Sequence, residues 1–207
     1  MITVVGNLKG GTGKSTVVFN LALWRIIHGE TETAVCDLDP QATVRDAADV
    51  RFEEGVEPLL TVSGRLPKTV KGEVLVDVGM SDTPAMRGAL ARADRVLIPV
   101  APSQADVWST QHFLEIVEDS VKRRRKKPEL ITFLSRADTH PGALENDEAL
   151  SALKAIGGMR VMKSRLSQRI AFRRSFSEGL AVFELEPKGK AADELDGLAK
   201  EFFKKRR

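Results

Sequence analysis

The 207-residue chain predicts an α/β fold: a doubly wound, mainly parallel twisted sheet with helices on both faces. Three observations predict it. Short apolar runs alternate with longer helix-period segments along the chain. A glycine-dense turn joins the first apolar run to the first helical segment, the setting a phosphate-binding loop needs. Aspartates close two of the apolar runs, at the strand ends where open parallel sheets bind ligands. The length and the 42% hydrophobic content suit one domain, residues 1–207, with a full core and no linker.

Ile2 to Val5 reads as a buried strand, and Val17 to Ile27 as a helix. Between them, Gly10, Gly11 and Gly13 let the backbone bend tightly and approach a ligand. The loop's N–H groups and the positive end of the helix would then face an anion. Lys14 would reach the β- and γ-phosphates, and the Ser15 hydroxyl would hold Mg²⁺. The usual pattern has a glycine five positions before Gly13, where this chain has Leu8. In its place stands a run of contacts expected for the nucleotide: Lys9, Gly10, Gly11, Thr12, Gly13, Lys14, Ser15 and Thr16.

A polar turn at Glu30 to Glu32 precedes a second short strand, Thr33 to Cys36, which runs into Asp37-Leu38-Asp39-Pro40-Gln41. Carboxylates there can serve the water shell of Mg²⁺ and orient an attacking water. Residues 43–72 say least, with a possible helix from Asp46 to Phe52 and loops at Gly64 and Pro67. Val74-Leu75-Val76-Asp77 is an apolar strand ending in a candidate Mg²⁺ ligand, and Gly79 would let the next loop approach the γ-phosphate. A helix follows from about Ala85 to Ala93, then a buried strand from Val96. A long helix, Ala105 to about Lys127, ends in six basic residues, Lys122 to Lys127. The strand Leu130 to Leu134 places Arg136 at its end, and a helix closes the chain.

The net charge of +3 conceals an asymmetry: residues 1–119 carry −6 and residues 120–207 carry +9. The basic part suggests a polyanion, either nucleic acid or an anionic membrane surface. The one cysteine, Cys36, rules out an internal disulfide and suits a reducing cytoplasm. His28, His112 and His140 show no metal-ligand spacing. No apolar run reaches the roughly 18 residues of a membrane span, and Met1 to Val4 lacks the basic start of a signal peptide.

Lys9-Gly10-Gly11-Thr12-Gly13-Lys14-Ser15 resembles the deviant Walker A motif of the ParA/MinD family of ATPases. Asp37-Leu38-Asp39-Pro40-Gln41 is similar to the family's Walker A′ signature, and Val74 to Asp77 to its Walker B strand. The spacing from Arg160 onward resembles the small ParF-type branch of ParA partition proteins. The resemblance implies a P-loop ATPase that uses ATP and Mg²⁺ and closes as a homodimer around two ATP molecules. In it Lys9 reaches the partner's phosphates, Lys14 holds the γ-phosphate, and Asp39 orients the water. Ser15, Asp37 and Asp77 serve Mg²⁺, Gly79 senses the γ-phosphate, and Arg136 lies near the purine. It further implies non-specific DNA binding through Arg165, Arg169, Arg173 and Arg174, with Lys122 to Lys127 behind them. A ParB-like or ParG-like partner would stimulate hydrolysis, and the protein would be cytoplasmic and nucleoid-associated, positioning a plasmid, a chromosome or a protein compartment.

A MinD-like membrane switch shares these nucleotide motifs. Leu195, Leu198 and Phe202 share a helical face, Phe203 adjoins it, and Lys204 to Arg207 follow, so the last helix could lie on a membrane or dock on the core. A metal- or cluster-handling relative would need cysteines beyond Cys36.

Overall fold

Alternation at the scale of single residues builds the centre of the molecule. In a strand, successive side chains point to opposite faces. Accordingly, Val5, Leu75 and Leu97 enter one hydrophobic cluster, while Val4, Val76 and Ile98 enter the other. A sheet buried on both sides has no polar face, which is why these runs read as continuously apolar. The computed structural model describes residues 1–29, 31–140 and 142–204. Glu30 of the expected polar turn and Lys205, Arg206 and Arg207 of the basic tail lie outside the described residues.

The strands are β1 (Ile2–Val5), β2 (Thr33–Asp37), β3 (Val62–Ser63), β4 (Glu73–Asp77), β5 (Arg95–Val100), β6 (Glu129–Ala137), β7 (Arg160–Val161) and β8 (Leu166–Ser167). The helices are α1 (Lys14–His28), α2 (Thr43–Glu53), α3 (Pro84–Leu90), α4 (Gln104–Val121), α5 (Leu144–Ile156), α6 (Ile170–Ser177), α7 (Val182–Leu185) and α8 (Lys190–Phe203). The sheet order is β3-β2-β4-β1-β5-β6-β7, with β8 also paired to β6. Every described pairing is parallel. β7 and β8 follow one another along the same edge of β6, at Ile131–Thr132 and then Ser135–Ala137. This edge carries the chain to the carboxyl end of the sheet, where α6 begins.

Local chemistry sets the element ends. The Thr83 hydroxyl accepts from the Met86 N–H at 3.1 Å, and Pro84 opens α3. Ser103 caps α4 in the same way through the Asp106 N–H, at 3.2 Å. Pro99 fits inside β5 because β1 pairs only as far as Leu97, which leaves that flank of the proline free of a ladder bond.

Several boundaries differ from the sequence expectation, among them that of β6, which runs on from Leu134 to Ala137. The long helix α4 stops at Val121, so Lys122 to Lys127 form a turn rather than its last turns. Consecutive like charges and the following Pro128 both oppose helix there. Two of the six turn inward: Arg124 donates to the Ala93 carbonyl, and Lys127 to the Val121 carbonyl. α3 ends at Leu90, after which Arg92 and Ala93 make tighter backbone turns. In the uninformative 43–72 stretch, α2 is longer than expected and β3 forms a two-residue sheet edge.

The last helix docks on the core. Leu195, Leu198 and Phe202 are buried, at about 1.5–3 kcal/mol each. Phe203 stacks on Trp24 with ring centroids 5.7 Å apart, and Trp24 Nε1 donates to Asp196 at 3.1 Å. The Arg95 guanidinium lies over Phe202, 4.3 Å from its ring centre. The apolar stripe available for a membrane is therefore already covered by the protein's own core. Among the described residues no helix is long and apolar enough to cross a membrane.

Candidate functional site

The phosphate loop leaves β1 at Gly6 and enters α1 through Gly13. Gly11 and Gly13 adopt the left-handed conformation, with φ of 72° and 84°, which costs other residues strain. At the start of α1, the N–H groups of Lys14, Ser15 and Thr16 have no carbonyl a turn earlier within the helix to bond. They open on a cavity of about 540 Å³, a volume typical of small-molecule sites. It is lined by Gly11, Gly13, Lys14, Ser15 and Thr16 from the loop, Asp39 and Gln41 beyond β2, and Ser135 and Arg136 from β6. Leu166 to Ile170, Phe172, Arg173 and Phe176 form the opposite wall.

Electrostatics distinguish the three acids brought to this end of the sheet. Asp77 is fully buried, and neither of its oxygens has a hydrogen-bond partner within normal geometry among the described residues. Burial pushes its carboxyl up to about 7; the nearby Ser15 hydroxyl and Lys14 oppose this, while Asp37 and Asp39 add to it. Asp37 is also raised, first by burial, but its oxygens accept the N–H groups of Asp39 and Arg45, both at 3.1 Å. Asp37 thus shapes the turn and seats the start of α2. Asp39 Oδ1 accepts the Gln41 N–H at 3.0 Å, and Asp39 lines the cavity.

A buried carboxylate with unpartnered oxygens, beside a lysine and a hydroxyl, fits a hard divalent cation. No group of three or more His, Cys, Asp or Glu among the described residues could cage a metal. Mg²⁺ takes one or two carboxylates and completes its shell with water and phosphate oxygens.

Lys14 is buried, and desolvation lowers its pKa against the pull of Asp77 and Asp39. Its Nζ donates to the Lys9 carbonyl at 3.1 Å. The Lys9 side chain is exposed on the loop's outer face. Thr12 is buried, and its hydroxyl has no partner among the described residues. Met80 covers Gly10 so closely that a Cβ there would fall 2.4 Å from its sulfur. Gly79 faces Asp39 across the cleft; a Cβ would lie an ordinary 3.4 Å from Asp39 Oδ1. Arg136, left-handed at φ 54°, donates from Nη1 to the Gly11 carbonyl at 2.7 Å.

The four arginines expected to share one role occupy different settings. Arg165 and Arg173 are exposed and make no ion pair or side-chain hydrogen bond among the described residues. Arg169 is half-buried and grips Glu194 at 2.7 Å, while Glu194 also accepts from Ser167. Arg174 stands about 4 Å from Glu178 and Glu186. Arg169 and Arg173 line the phosphate-loop cavity itself.

Sequence reasoning passed over Asn7. It is fully buried, donating from Nδ2 to Pro99 O at 3.1 Å and Thr110 Oγ1 at 3.3 Å. Its Oδ1 accepts the Lys9 N–H and the Ser109 hydroxyl. The available signal was a lone amide between an apolar strand and a glycine loop. Gln168 and Phe172 of the far wall carry no sequence signal, because their place depends on the β8 pairing.

A family model described as the CobQ/CobB/MinD/ParA nucleotide binding domain matches residues 3–182. The chain is 27% identical to "Maintenance of carboxysome distribution protein A" of Halothiobacillus neapolitanus, over 95% of this chain and 94% of that one. It is 24% identical to "Protein ParA" of Rhizobium radiobacter, over 99% and 96% of the two chains. Its fold is similar to the crystal structure of a plasmid partition protein from Borrelia burgdorferi bound to AMPPNP: TM-score 0.75, 16% identity, 97% of each chain covered.

Proposed function

Because the chain belongs to the CobQ/CobB/MinD/ParA nucleotide-binding domain family, we propose that it is an ATPase that dimerises with ATP, binds duplex DNA without sequence preference and positions a cargo on the nucleoid. The observation that carries the nucleotide part is Asp77: a fully buried carboxylate with unpartnered oxygens among the described residues, near Lys14 and Ser15, which themselves line a cavity at the first turn of α1. Asp77 and Ser15 would hold Mg²⁺, with Asp37 in its water shell. Bound there, the cation would neutralise charge on the β- and γ-phosphate oxygens.

Each of the chain's own groups then has a part. The first-turn N–H groups and Lys14 bind the phosphates. Asp39, on the cavity wall, orients the attacking water. Lys9 is free to cross to a second subunit, where a cation supplied from outside stabilises the transferring phosphoryl group as an arginine finger does. The dimer requires the γ-phosphate, so ADP leaves a monomer. A partner protein that favours the hydrolytic geometry would release the DNA. Carboxysome distribution and plasmid partition are what the names of similar proteins describe, and a protein compartment or a plasmid is accordingly the class of cargo.

Arg165 and Arg173 supply unpaired charge for DNA phosphates, with Arg174 beside them. The buried stripe of α8 argues against the membrane alternative. The test is binding to mixed-sequence duplex DNA and to anionic vesicles, each with ATP and with ADP. ATP-dependent, salt-sensitive DNA binding without vesicle binding supports the proposal. Vesicle binding without DNA binding overturns it.

A further inference from the structure

Six consecutive basic residues follow α4, and their fates differ. Arg124 and Lys127 turn inward onto the Ala93 and Val121 carbonyls and hold the turn in shape. Lys122 pairs with Asp119 at 2.8 Å. Arg123, Arg125 and Lys126 are exposed and make no ion pair or side-chain hydrogen bond among the described residues. A turn closed by two of its own cations displays three others at fixed positions.

The location matters as much as the charge. The turn leads into Glu129, the amino end of β6, whereas the cavity begins at Ser135 on the same strand. At about 3.3 Å per residue, those points are roughly 20 Å apart. The displayed cations therefore lie at the far end of the sheet from the phosphate loop. Only Lys122 is linked toward the cleft, through Asp119 and Arg87 to Asp82. Among the described residues, none of the large exposed apolar side chains belongs to the turn. A peptide groove would add apolar contacts, whereas a nucleic-acid backbone is bound by charge alone; the vesicle arm of the test separates duplex from an anionic lipid surface.

We propose that Arg123, Arg125 and Lys126 form a second phosphate-contact surface for duplex DNA, engaged whichever nucleotide the cleft holds. This rests on the DNA-binding reading above and divides it in two. The cleft-wall arginines respond to nucleotide, and the basic turn supplies a constant, weak hold. Roughly 20 Å is about six base pairs along a duplex, so the two surfaces are separated by a distance that a short duplex spans. Between cycles of ATP binding, the turn would keep a released monomer near DNA.

The test uses the full chain and fluorescence anisotropy with a labelled mixed-sequence duplex, without nucleotide, with ADP and with ATP, at several salt concentrations. The triple variant Arg123→Gln/Arg125→Gln/Lys126→Gln should weaken binding about tenfold or more in every nucleotide state. The slope of log affinity against log salt should become shallower by roughly 2–3. The ratio of ATP-state to ADP-state affinity should stay unchanged. Wild-type affinity of the variant with ADP, or a loss seen only with ATP, would overturn the second surface. Turn-dependent binding to phosphatidylglycerol vesicles in place of duplex would do so as well. If DNA binding shows no ATP stimulation, the ATP-switched reading falls, while the ADP measurement still decides the turn.

Discussion

Lys14 Nζ donates to the carbonyl of Lys9 at 3.1 Å, so the residue aimed at phosphate closes the loop on itself. Burial weakens the hold of Lys14 on its proton, and the nearby acids restore part of it. A phosphate oxygen would replace the Lys9 carbonyl and bring the full charge that burial otherwise penalises. Lys14→Ala should therefore abolish ATP and ADP binding by calorimetry, with the fold retained by circular dichroism. Retained nucleotide affinity in that variant would refute the phosphate-loop assignment.

The raised carboxyl of Asp77 makes a pH prediction with a definite sign. Its folded pKa, about 7, lies above the ordinary 3.8, so the folded state binds this proton more tightly than the unfolded chain. That stabilisation is complete below the unfolded value and is lost as pH rises through about 7. In the absence of nucleotide and Mg²⁺, Asp77→Asn should raise the melting temperature at pH 8 and leave it nearly unchanged at pH 4. A gap that widens at low pH would contradict the burial account.

Arg51 is wholly buried and fastens α2 to the far wall of the site. It binds both Glu184 oxygens, at 2.7 and 2.8 Å, together with the Pro58 and Gly179 carbonyls. Arg51→Ala removes the cationic partner of Glu184, which keeps only the Ala181 N–H among the described residues, and the donor to both carbonyls, and should cost about 3–5 kcal/mol in denaturant unfolding. A loss below 1 kcal/mol would mean that water replaces the guanidinium.

Arg169 and Arg173 separate fold from surface. Arg169→Glu places a carboxylate against Glu194 and should lower the melting temperature by several degrees. Arg173→Glu removes an unpaired exposed charge on the cavity wall, so it should leave stability unchanged and weaken DNA binding. Equal stability of the two variants would show that the Glu194 grip is unimportant.

Truncation after Asp196 deletes Leu198, Phe202 and Phe203, and with them the stacking on Trp24. The shortened chain should be insoluble or markedly less stable. A folded, soluble ATPase that has lost only vesicle binding would instead favour the membrane reading.

Much of this was legible because the signals are local. The strand–glycine–helix order from Ile2 to His28 and the acids ending β2 and β4 follow from short-range pattern. What was hidden is non-local. The far wall of the cavity depends on β8 pairing with the carboxyl half of β6, thirty residues earlier in sequence. The ion pair of Arg169 was hidden because its partner, Glu194, lies on another helix. Six basic residues in a row read as the end of a long helix, yet Pro128 and their mutual repulsion end it at Val121. Asn7 was overlooked since burial of a single amide leaves no trace in composition.

The central claim is that Lys14 serves its own nucleotide while Lys9 serves a second subunit's. Sedimentation velocity of the wild-type chain and of Lys9→Ala, each with ATP and with ADP, tests it most directly. The expected result is a wild-type dimer with ATP and a monomer with ADP, while Lys9→Ala binds ATP yet remains a monomer. A Lys9→Ala variant that dimerises with ATP as well as the wild type would contradict it.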